Sequence, residues 1–468
     1  MMMTVMPSPS SAPIATVAPA RRCAYTVLRR VFEQGAYTDE ALRAESKELD
    51  PRDRALAMRL AYGSVQRKGT TDHLVEQLAE RPANKLDPPV LAGLRLGLYE
   101  LLYLRGSPDY AVVADVVELT KAQGRAGHGL VNAVLRRAAR EGSSALLDPL
   151  TDDTPAQAAI KHSHPEWIAR LWWQELGAAQ ARALMSADNE PGELALRANT
   201  LRTDARALAS ELPVRTHSDS AIPEALVLDE PFDVHGSPLW RDGAFIAQSR
   251  AAMLVGRALD PRPGERVLDL CAAPGGKTTH LAALMQGSGE VVAVERDRRR
   301  AGALVRTAQR LGAANVRVEV ADAALWPIER RAAGAPAFDR VLVDPPCSGL
   351  GTLQARADLR WRVTPEAIRE MTSVQARILA AGAESLRPGG VLVYSTCTIS
   401  PTENERLIDA FLDSHPDFSL DGLAGEMPAF DLTHAKPGAA TDSRPGLVLT
   451  LPHRDQTAGF FIARLRRS

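Results

Sequence analysis

The chain has 468 residues, which is too many for one ordinary domain, so two to four domains are expected. Its 56 Lys and Arg residues balance 57 Asp and Glu residues, so any nucleic-acid surface must be a local patch rather than a property of the whole chain. No apolar run reaches membrane-spanning length, and four scattered cysteines without a CxxC pair argue against a zinc site or a disulfide framework, which predicts a cytoplasmic protein with no membrane partner.

The N-terminal third of the chain has a helical pattern. Residues 1–20 are rich in Pro, Ser and Ala and are predicted to be a disordered tail rather than a signal peptide. From 21 to 142 apolar residues recur at spacings of three and four, which predicts an all-helical domain. Its paired arginines (21–22, 29–30 and 136–137) can meet phosphates, and the alternative is an ordinary solvated helix face.

Two shorter segments follow. Residues 143–160 are predicted to be a linker from their Ser, Asp and Pro content, and residues 161–240 a small mixed α+β segment. Within it, HPEWIARLWWQELG predicts a helix and LALRANTLRT a strand that runs into a turn. Trp167, Trp172 and Trp173 can stack on bases, but their helical spacing favours a place in the core.

From residue 241 to 468 strands alternate with helices. Such alternation, with nearly continuous apolar strands, predicts a doubly wound and mostly parallel sheet. In such sheets the ligand binds beyond the carboxyl ends of the strands. The candidate strands are 266–270, 290–295, 315–320, 338–343, 390–396, 446–451 and 459–465.

The stretch 267–279, VLDLCAAPGGKTT, reads as a strand, a glycine turn and the start of a helix. Gly275 and Gly276 allow positive φ and a close approach of the backbone to a ligand. A Walker A loop does not fit, because its first glycine would fall on Cys271, and a GxGxxG fingerprint is absent. A purely structural turn is the remaining alternative for this motif alone.

Polar side chains stand where the neighbouring predicted strands end. Glu295 follows the second strand, where a carboxylate suits the hydroxyls of a ribose. Asp322 follows the third strand, Asp344 the fourth and Cys397 the fifth. Since the carboxyl ends of parallel strands share one edge, these four side chains are expected at one site.

The longer motifs resemble those of a known family. DLCAAPGGKT, DPPCSGLGTL, LRW at 359–361 and GGVLVYSTCTISPTENE resemble the S-adenosylmethionine-dependent RNA cytosine-C5 methyltransferases. GLVNAVLRR, SHPEW, LRANTLR and GFFIARLRR are similar to the bacterial 16S rRNA methyltransferases of the RsmB/Sun family. The resemblance implies an all-α NusB-like N-terminal domain, a small α+β linker domain and a C-terminal Rossmann-like methyltransferase domain.

The resemblance also implies roles for individual residues. The cofactor is S-adenosyl-L-methionine, and the partner is RNA, specifically 16S rRNA, rather than DNA. Glu295 would hold the ribose and Asp322 the adenine, and Asp344 would sit between cofactor and base. The turn around the methionine and ribose would be formed by Cys271, Ala272, Ala273, Pro274, Gly275, Gly276 and Lys277.

Two cysteines fit covalent catalysis at cytosine. A thiolate that adds to C6 makes C5 a nucleophile toward the methyl group, and a second cysteine can assist release of the product. The residues alone leave open which cysteine attacks, since Pro346-Cys347 also resembles the Pro-Cys of DNA cytosine methyltransferases. The family resemblance assigns the attack to Cys397 and leaves release to Cys347, with Cys271 as packing. The target base must leave its stack to be reached.

Two other functions compete with this interpretation. DPP at 344–346 resembles the motif of amino methyltransferases, although that chemistry has no use for Cys397. An RNA-binding, antitermination-like protein with a vestigial methyltransferase domain is the second. The chain departs from the family at Glu295, Ser249 and Ala458, where Asp is common, and in DPPC itself. The modified nucleotide and the oligomeric state stay open.

Overall fold

A computed structural model describes residues 17–123, 126–423 and 444–468. They form two compact units, one that ends at Asn189 and also includes Arg356–Arg362, and one made of Glu190–Ala355 and Val363–Ser468. Residues 1–16 of the predicted tail lie outside the described residues. The domain divisions predicted at 142, 160 and 240 stay predictions, since the compact units divide the chain elsewhere.

The first unit is helical in the part that the structure describes, as the sequence predicts for 21–142. Its helices are α1 (Pro19–Gln34), α2 (Thr38–Glu45), α3 (Pro51–Gln66), α4 (Lys68–Ala79), α5 (Pro88–Tyr103), α6 (Asp109–Lys121), α7 (His128–Leu147), α8 (Pro155–Lys161), α9 (Glu166–Leu176) and α10 (Ala178–Ala187), with 3-10 turns at Ala83–Lys85 and Ala357–Trp361. A single apolar core joins α1 to α7, which explains the spacing of three and four.

The boundaries of the predicted tail and linker differ from the helices observed. The first helix begins at Pro19, inside the predicted tail, because Pro is favoured in the first helical turn. Helix α7 continues past a kink at Gly142 (φ 81°) into the predicted linker. At the linker's other end α8 begins at Pro155, where Thr154 and Gln157 form a capping box. Only 148–154 of the predicted linker is therefore free of helix.

The segment 356–362, which carries the LRW motif, is packed within the helical unit. Arg360 is fully buried, and its guanidinium donates to the carbonyls of Ser163 (3.1 Å) and Asp188 (3.0 Å) and to Asn189 Oδ1 (2.9 Å). Trp361 Nε1 donates to the carbonyl of Val65 (2.8 Å). Hydrogen bonds from a charged donor to buried carbonyls are among the stronger ones, so this segment is firmly anchored.

The second unit begins with a small antiparallel sheet of order β2-β3-β1-β4. Its elements are β1 (Ala195–Ala198), α11 (Ala205–Glu211), β2 (Thr216–Ser218), β3 (Ala225–Leu228), α12 (Pro238–Arg241) and β4 (Phe245–Ala247). Strand β1 and the turn after it occupy the sequence LRANT, as predicted from the motif.

The rest of this unit is the large sheet with its helices. They are α13 (Arg250–Leu259), β5 (Arg266–Leu270), α14 (Gly276–Leu284), β6 (Glu290–Val294), α15 (Arg298–Leu311), β7 (Val316–Glu319), α16 (Trp326–Ala332), β8 (Phe338–Val343), α17 (Pro365–Ser385), β9 (Leu386–Thr396), α18 (Glu405–Ser414), β10 (Phe418–Leu420), β11 (Leu447–Leu449), α19 (Pro452–Asp455) and β12 (Phe461–Arg467).

The strand order confirms the doubly wound fold. Strands run in the order β10-β12-β9-β8-β5-β6-β7, and β11 pairs with β12. The five strands from β9 to β7 are parallel, while β12 is antiparallel to β9. The chain order reverses between β5 and β8, and ligands of such sheets bind at this switch point. Within the described residues no helix is long and apolar enough to cross a membrane.

Candidate active site at the carboxyl edge of the sheet

The glycine turn after β5 is shaped by its backbone. Cys271 (φ 65°) and Gly275 (φ 100°) both have positive φ, and α14 begins directly after them at Gly276. A Cβ on Gly275 would lie 3.1 Å from Leu304 Cγ, so the turn packs closely against α15. At Gly276, by contrast, the nearest atom to such a Cβ lies 4.0 Å away. The turn therefore leaves room beside Gly276 for the close approach of a ligand.

Two residues that the sequence analysis did not select, Asp269 and Arg197, form hydrogen bonds that support this turn. Thr278 Oγ1 donates to Asp269 Oδ2 (2.6 Å), and burial raises the pKa of Asp269 to about 7. Arg197 on β1 donates to the carbonyl of Gly276 (2.6 Å) and to Thr279 Oγ1 (3.0 Å), and burial lowers its pKa to about 9. Asp269 lies in the motif DLCAAPGGKT and Arg197 in LRANTLR, both quoted above. The motifs could be recognised in the sequence, but the hydrogen bonds of these two residues could not.

The two carboxylates beyond β6 and β7 differ in exposure. Glu295 is 3% exposed, and its Oε1 accepts from the Asp297 amide (3.0 Å). Asp322 is exposed, and its Oδ1 accepts from the Ala324 amide (2.8 Å). Glu295 and Asp322 thus follow neighbouring strands beside the open turn. Together these features fit the hydroxyls, amine and sulfonium of S-adenosylmethionine.

Asp344, after β8, lies in a short polar chain. Lys277 Nζ donates to Asp344 Oδ2 (2.7 Å), and Ser395 Oγ donates to Asp344 Oδ1 (2.8 Å). Burial alone would lower the pKa of Lys277, but the charge and hydrogen bond of Asp344 raise it above its ordinary value. The structure thus joins the glycine turn to the DPPC motif, a contact that the sequence alone did not give.

The structure brings the two candidate catalytic cysteines together. Cys347 Sγ and Cys397 Sγ are 3.3 Å apart, and both side chains are partly exposed. The hydrogen bond to Cys397, followed by desolvation, raises the pKa of Cys347 well above its ordinary value. Cys271 lies elsewhere in the turn, and burial raises its pKa to about 12, which leaves its thiol unreactive.

The loops that carry these cysteines are held by Glu403, which the sequence analysis did not select. This fully buried carboxylate accepts from the Ser348 amide (2.8 Å), from Ser348 Oγ and from Gln375 Nε2 (3.0 Å). Ser348 Oγ is also 2.6 Å from Thr398 Oγ1, next to Cys397. Glu403 therefore fixes the residue after each cysteine. The sequence signal that could have revealed Glu403 was its place in the TENE motif.

Several other sequence candidates have structural roles. Arg21 is buried and forms ion pairs with Glu100 and Asp115, so it is not available to phosphates, and Arg29 and Arg137 pair along their own helices. Of the three tryptophans, Trp172 is fully buried, as favoured above, whereas Trp167 and Trp173 are half-buried. At one departure from the family, Ser249 accepts from the Ala252 amide (3.3 Å) and so caps α13.

Comparison with known families matches three separate stretches of the chain. Residues 18–140 match the NusB family, residues 164–235 the ferredoxin-like domain of RsmF/B-like methyltransferases, and residues 256–466 the family described as 16S rRNA methyltransferase RsmB/F. Each match lies over one of the three domains that the resemblance implies.

Relatives with the same domains align over nearly their full length. The probable ribosomal RNA small subunit methyltransferase B of Synechocystis is 37% identical, over 96% of this chain and 99% of the relative. That of Bacillus subtilis is 33% identical, over 96% and 98%. The crystal structure of PH0851 has a TM-score of 0.76 at 27% identity, over 98% of this chain and 99% of that chain.

A methyltransferase homologue from Pyrococcus horikoshii has a TM-score of 0.59 at 30% identity, over 68% of this chain and all of that chain. The full-length relatives at 33–37% identity, the domain matches and the geometry of the turn agree. The chain belongs to the RsmB/Sun family of S-adenosylmethionine-dependent ribosomal RNA methyltransferases.

Proposed function

We propose that this enzyme methylates C5 of a cytosine in 16S rRNA through a covalent bond between Cys397 and C6. The observation that carries the proposal is the 3.3 Å separation of the Cys397 and Cys347 sulfurs. Cys347 lies in the loop after β8, which also carries Asp344, and Cys397 lies in the loop after the adjacent strand β9. Methylation of an exocyclic amine needs neither thiol. A vestigial domain has no reason to keep two thiols, a charged pair and an open cofactor turn together.

Cys397 begins the reaction by forming a bond from its sulfur to C6, which opens the C5–C6 double bond and makes C5 nucleophilic. Bound S-adenosylmethionine supplies an electrophilic methyl group. The C5 proton then leaves to a base, its bonding electrons restore the C5–C6 double bond, and the sulfur of Cys397 departs as a thiolate. We assign assistance of this release to Cys347, because its sulfur lies 3.3 Å from the sulfur of Cys397 and is therefore beside the bond that must break.

Lys277 and Asp344 prepare the site for the base. Lys277 stays charged, and its charge interacts favourably with Cys397 as well as with Asp344. The ammonium therefore favours the ionised sulfur that attack requires. Asp344, held by Lys277 and Ser395, is a hydrogen-bond acceptor suited to the N4 amino group of cytosine. This contact would orient the ring so that C6 faces Cys397.

The remaining assignments follow the same proposal. The turn at 271–277 would hold the methionine side of the cofactor, Glu295 its ribose and Asp322 its adenine. The helical domain at 21–142 and the small domain at 161–240 would bind the RNA around the target. We place the reaction in the cytoplasm, where bacterial ribosomal RNA is modified.

Cysteine variants test the covalent step. With RNA and S-adenosylmethionine, Cys347→Ala should still attack and transfer the methyl group, but should remain attached to the product. It should therefore give a slow, protease-sensitive RNA band on a denaturing gel. Cys397→Ala should be inactive and give no such band, and neither should the double variant.

The opposite result has a defined meaning. A band with Cys397→Ala and none with Cys347→Ala would move the nucleophile to the Pro-Cys motif. Surviving activity without a band in either variant would exclude covalent catalysis and favour methylation of an amino group. Bisulfite sequencing of 16S rRNA, with and without the gene, would identify the modified cytosine and test the assignment to 16S rRNA.

A further inference from the structure

A run of arginines stands at the start of α15, directly after Glu295. Residues 296–300 read RDRRR, and the side chains of Arg296, Arg298 and Arg299 are exposed. Arg300 differs from them, because it donates to the carbonyl of Ala273 in the cofactor turn (2.9 Å). That contact places the beginning of α15 beside the turn, at the same edge of the sheet as the active site.

The arginines form one face of α15. The opposite face is apolar and buried, with Ala301, Leu304, Ala308 and Leu311 against the sheet. Arg306 is exposed, and its Nη1 lies 3.5 Å from the place a Cβ on Gly302 would take. Because Gly302 has no side chain, Arg306 can lie along the helix toward Arg299, seven residues earlier on the same face.

These side chains have no acidic partner. Among the residues that the structure describes, no carboxylate lies within 4.0 Å of Arg296, Arg298, Arg299 or Arg306. Some exposed arginines elsewhere pair along their own helices, as Arg170 does with Glu166 and Arg369 with Glu366. The usual explanation of an arginine run, a helix face balanced by its own carboxylates, therefore does not apply here.

The position of the run is also unfavourable for the free protein. The N-terminal end of a helix carries a partial positive charge, which favours acidic side chains in the first turn. The first turn of α15 has no acidic residue and begins with Arg298, Arg299 and Arg300. The carboxylate of the N-cap residue Asp297 accepts from the Arg300 amide (2.8 Å), and Arg300 pairs with Glu295 (3.6 Å), which offsets part of this charge. Arg298 and Arg299 still repel each other there, and an external polyanion would relieve this repulsion.

We propose that the arginine patch made by Arg296, just before α15, and by Arg298, Arg299 and Arg306 on it binds the phosphodiester backbone of the substrate RNA. The proposal rests on RNA being the substrate, and it does not depend on methylation at C5 or on the covalent step. The formal charge of the whole chain is −1, so attraction to RNA requires such a local patch. Arg299 and Arg306 are about 10 Å apart along the helix, which suits two different phosphates.

The experiment measures the affinity of the full chain for a labelled fragment of 16S rRNA as a function of salt. The test variant replaces three arginines of the run by alanine, and a control variant removes the same charge from three exposed, ion-paired arginines of the same unit. The test set is Arg296→Ala, Arg298→Ala and Arg299→Ala, and the control set is Arg262→Ala, Arg331→Ala and Arg369→Ala.

The slope of log affinity against log salt should fall by about 2 in the test variant, since each phosphate contact on single-stranded RNA contributes about 0.7. The control should keep the original slope, and both variants should bind S-adenosylmethionine as before. Replacing the same three arginines of the run by lysine should restore most of the slope, because counterion release depends on charge.

Three results would overturn the proposal. The first is an unchanged slope in the test variant. The second is an equal fall in the control, which would make the effect one of total charge. The third is a parallel loss of cofactor affinity in the test variant, which would make the run a support of the turn. Failure of the cysteine experiment would leave this measurement unaffected, because RNA binding is measured without the reaction.

Discussion

The two halves of the active site are held in place by different means. The cofactor turn at 271–277 takes its shape from its own backbone, with positive φ at Cys271 and Gly275 and a helix that begins directly after it. The cysteine loops after β8 and β9 are instead held by buried side chains that follow β9: Glu403 binds Ser348 and Gln375, and Asn404 binds Thr396 and the carbonyl of Thr398. The bends of the first half lie within one contiguous motif, to which Arg197 adds a hydrogen bond from β1, whereas two separate loops must meet to form the second.

Removal of Glu403 is the change with the largest expected effect. Glu403→Ala would leave the Ser348 amide and Gln375 Nε2 buried without this acceptor, at a cost of about 1–3 kcal/mol for each. The sulfurs would lose their fixed separation, so we expect methyl transfer to fall at least about 100-fold, which corresponds to about 3 kcal/mol in the barrier. Turnover on RNA measures this loss.

The same variant tests whether the halves are independent. Calorimetry with S-adenosylmethionine should give nearly the same affinity for Glu403→Ala as for the original protein. Glu403→Gln, which keeps one acceptor oxygen, should recover part of the turnover. A cofactor affinity that falls together with turnover would show that Glu403 supports the whole site and would remove the contrast between its halves.

The contrast also explains what the sequence could provide. The five parallel strands, the glycine turn and the positions of Glu295, Asp344 and Cys397 follow from apolar runs and from the motifs at their ends. The contacts Lys277–Asp344 and Arg197–Gly276 do not, because each joins segments more than sixty residues apart whose spacing carries no information about distance. Glu403 stood within a quoted motif, but its burial was needed to reveal its role.

A pH dependence of stability probes the support under the cofactor half. His280 on α14 is buried and hydrogen-bonded to Glu224, directly before β3 (Nε2 to Oε1, 2.6 Å), and burial, followed by the charge of Arg197, lowers its pKa from 6.5 to about 4. Between pH 4 and pH 6.5, His280 is therefore protonated in the unfolded chain but neutral in the folded protein. Stability should fall as the pH drops through this window, by about 3 kcal/mol at 1.36 kcal/mol per pKa unit.

Urea unfolding at pH 7.5 and at pH 4.5 measures this difference. His280→Gln keeps a donor for Glu224 but does not titrate, so the variant should lose less stability between the two pH values than the original protein. Other buried histidines, such as His164, contribute equally to both proteins and cancel in the comparison. Equal losses in the two proteins would mean that His280 is not held neutral beneath the turn.

A side chain on Gly275 should damage the cofactor half alone. Gly275→Ala forces an L-residue to adopt φ 100° and brings its Cβ to 3.1 Å from Leu304. We expect a cost of about 2 kcal/mol, within the range for strained backbone, that appears as weaker cofactor binding. The KM for S-adenosylmethionine should rise while kcat at saturation changes little. A fall in kcat with an unchanged KM would place the strain in the cysteine half instead.

The smallest effect is expected for a substitution of Asp322. Comparing it with a substitution of Glu295 tests the two carboxylates of the cofactor half against each other. Asp322 is exposed, and its Oδ1 already accepts from the Ala324 amide, so water can replace much of what the carboxylate gives to a ligand. Glu295 is buried, and a bond lost there cannot be replaced in this way. Asp322→Ala should therefore weaken S-adenosylmethionine binding by about 1 kcal/mol, and Glu295→Ala by clearly more, both measured by calorimetry. An unchanged affinity in Asp322→Ala would remove this residue from the adenine site, and a larger loss there than at Glu295 would show that exposure in the free protein does not rank the two carboxylates.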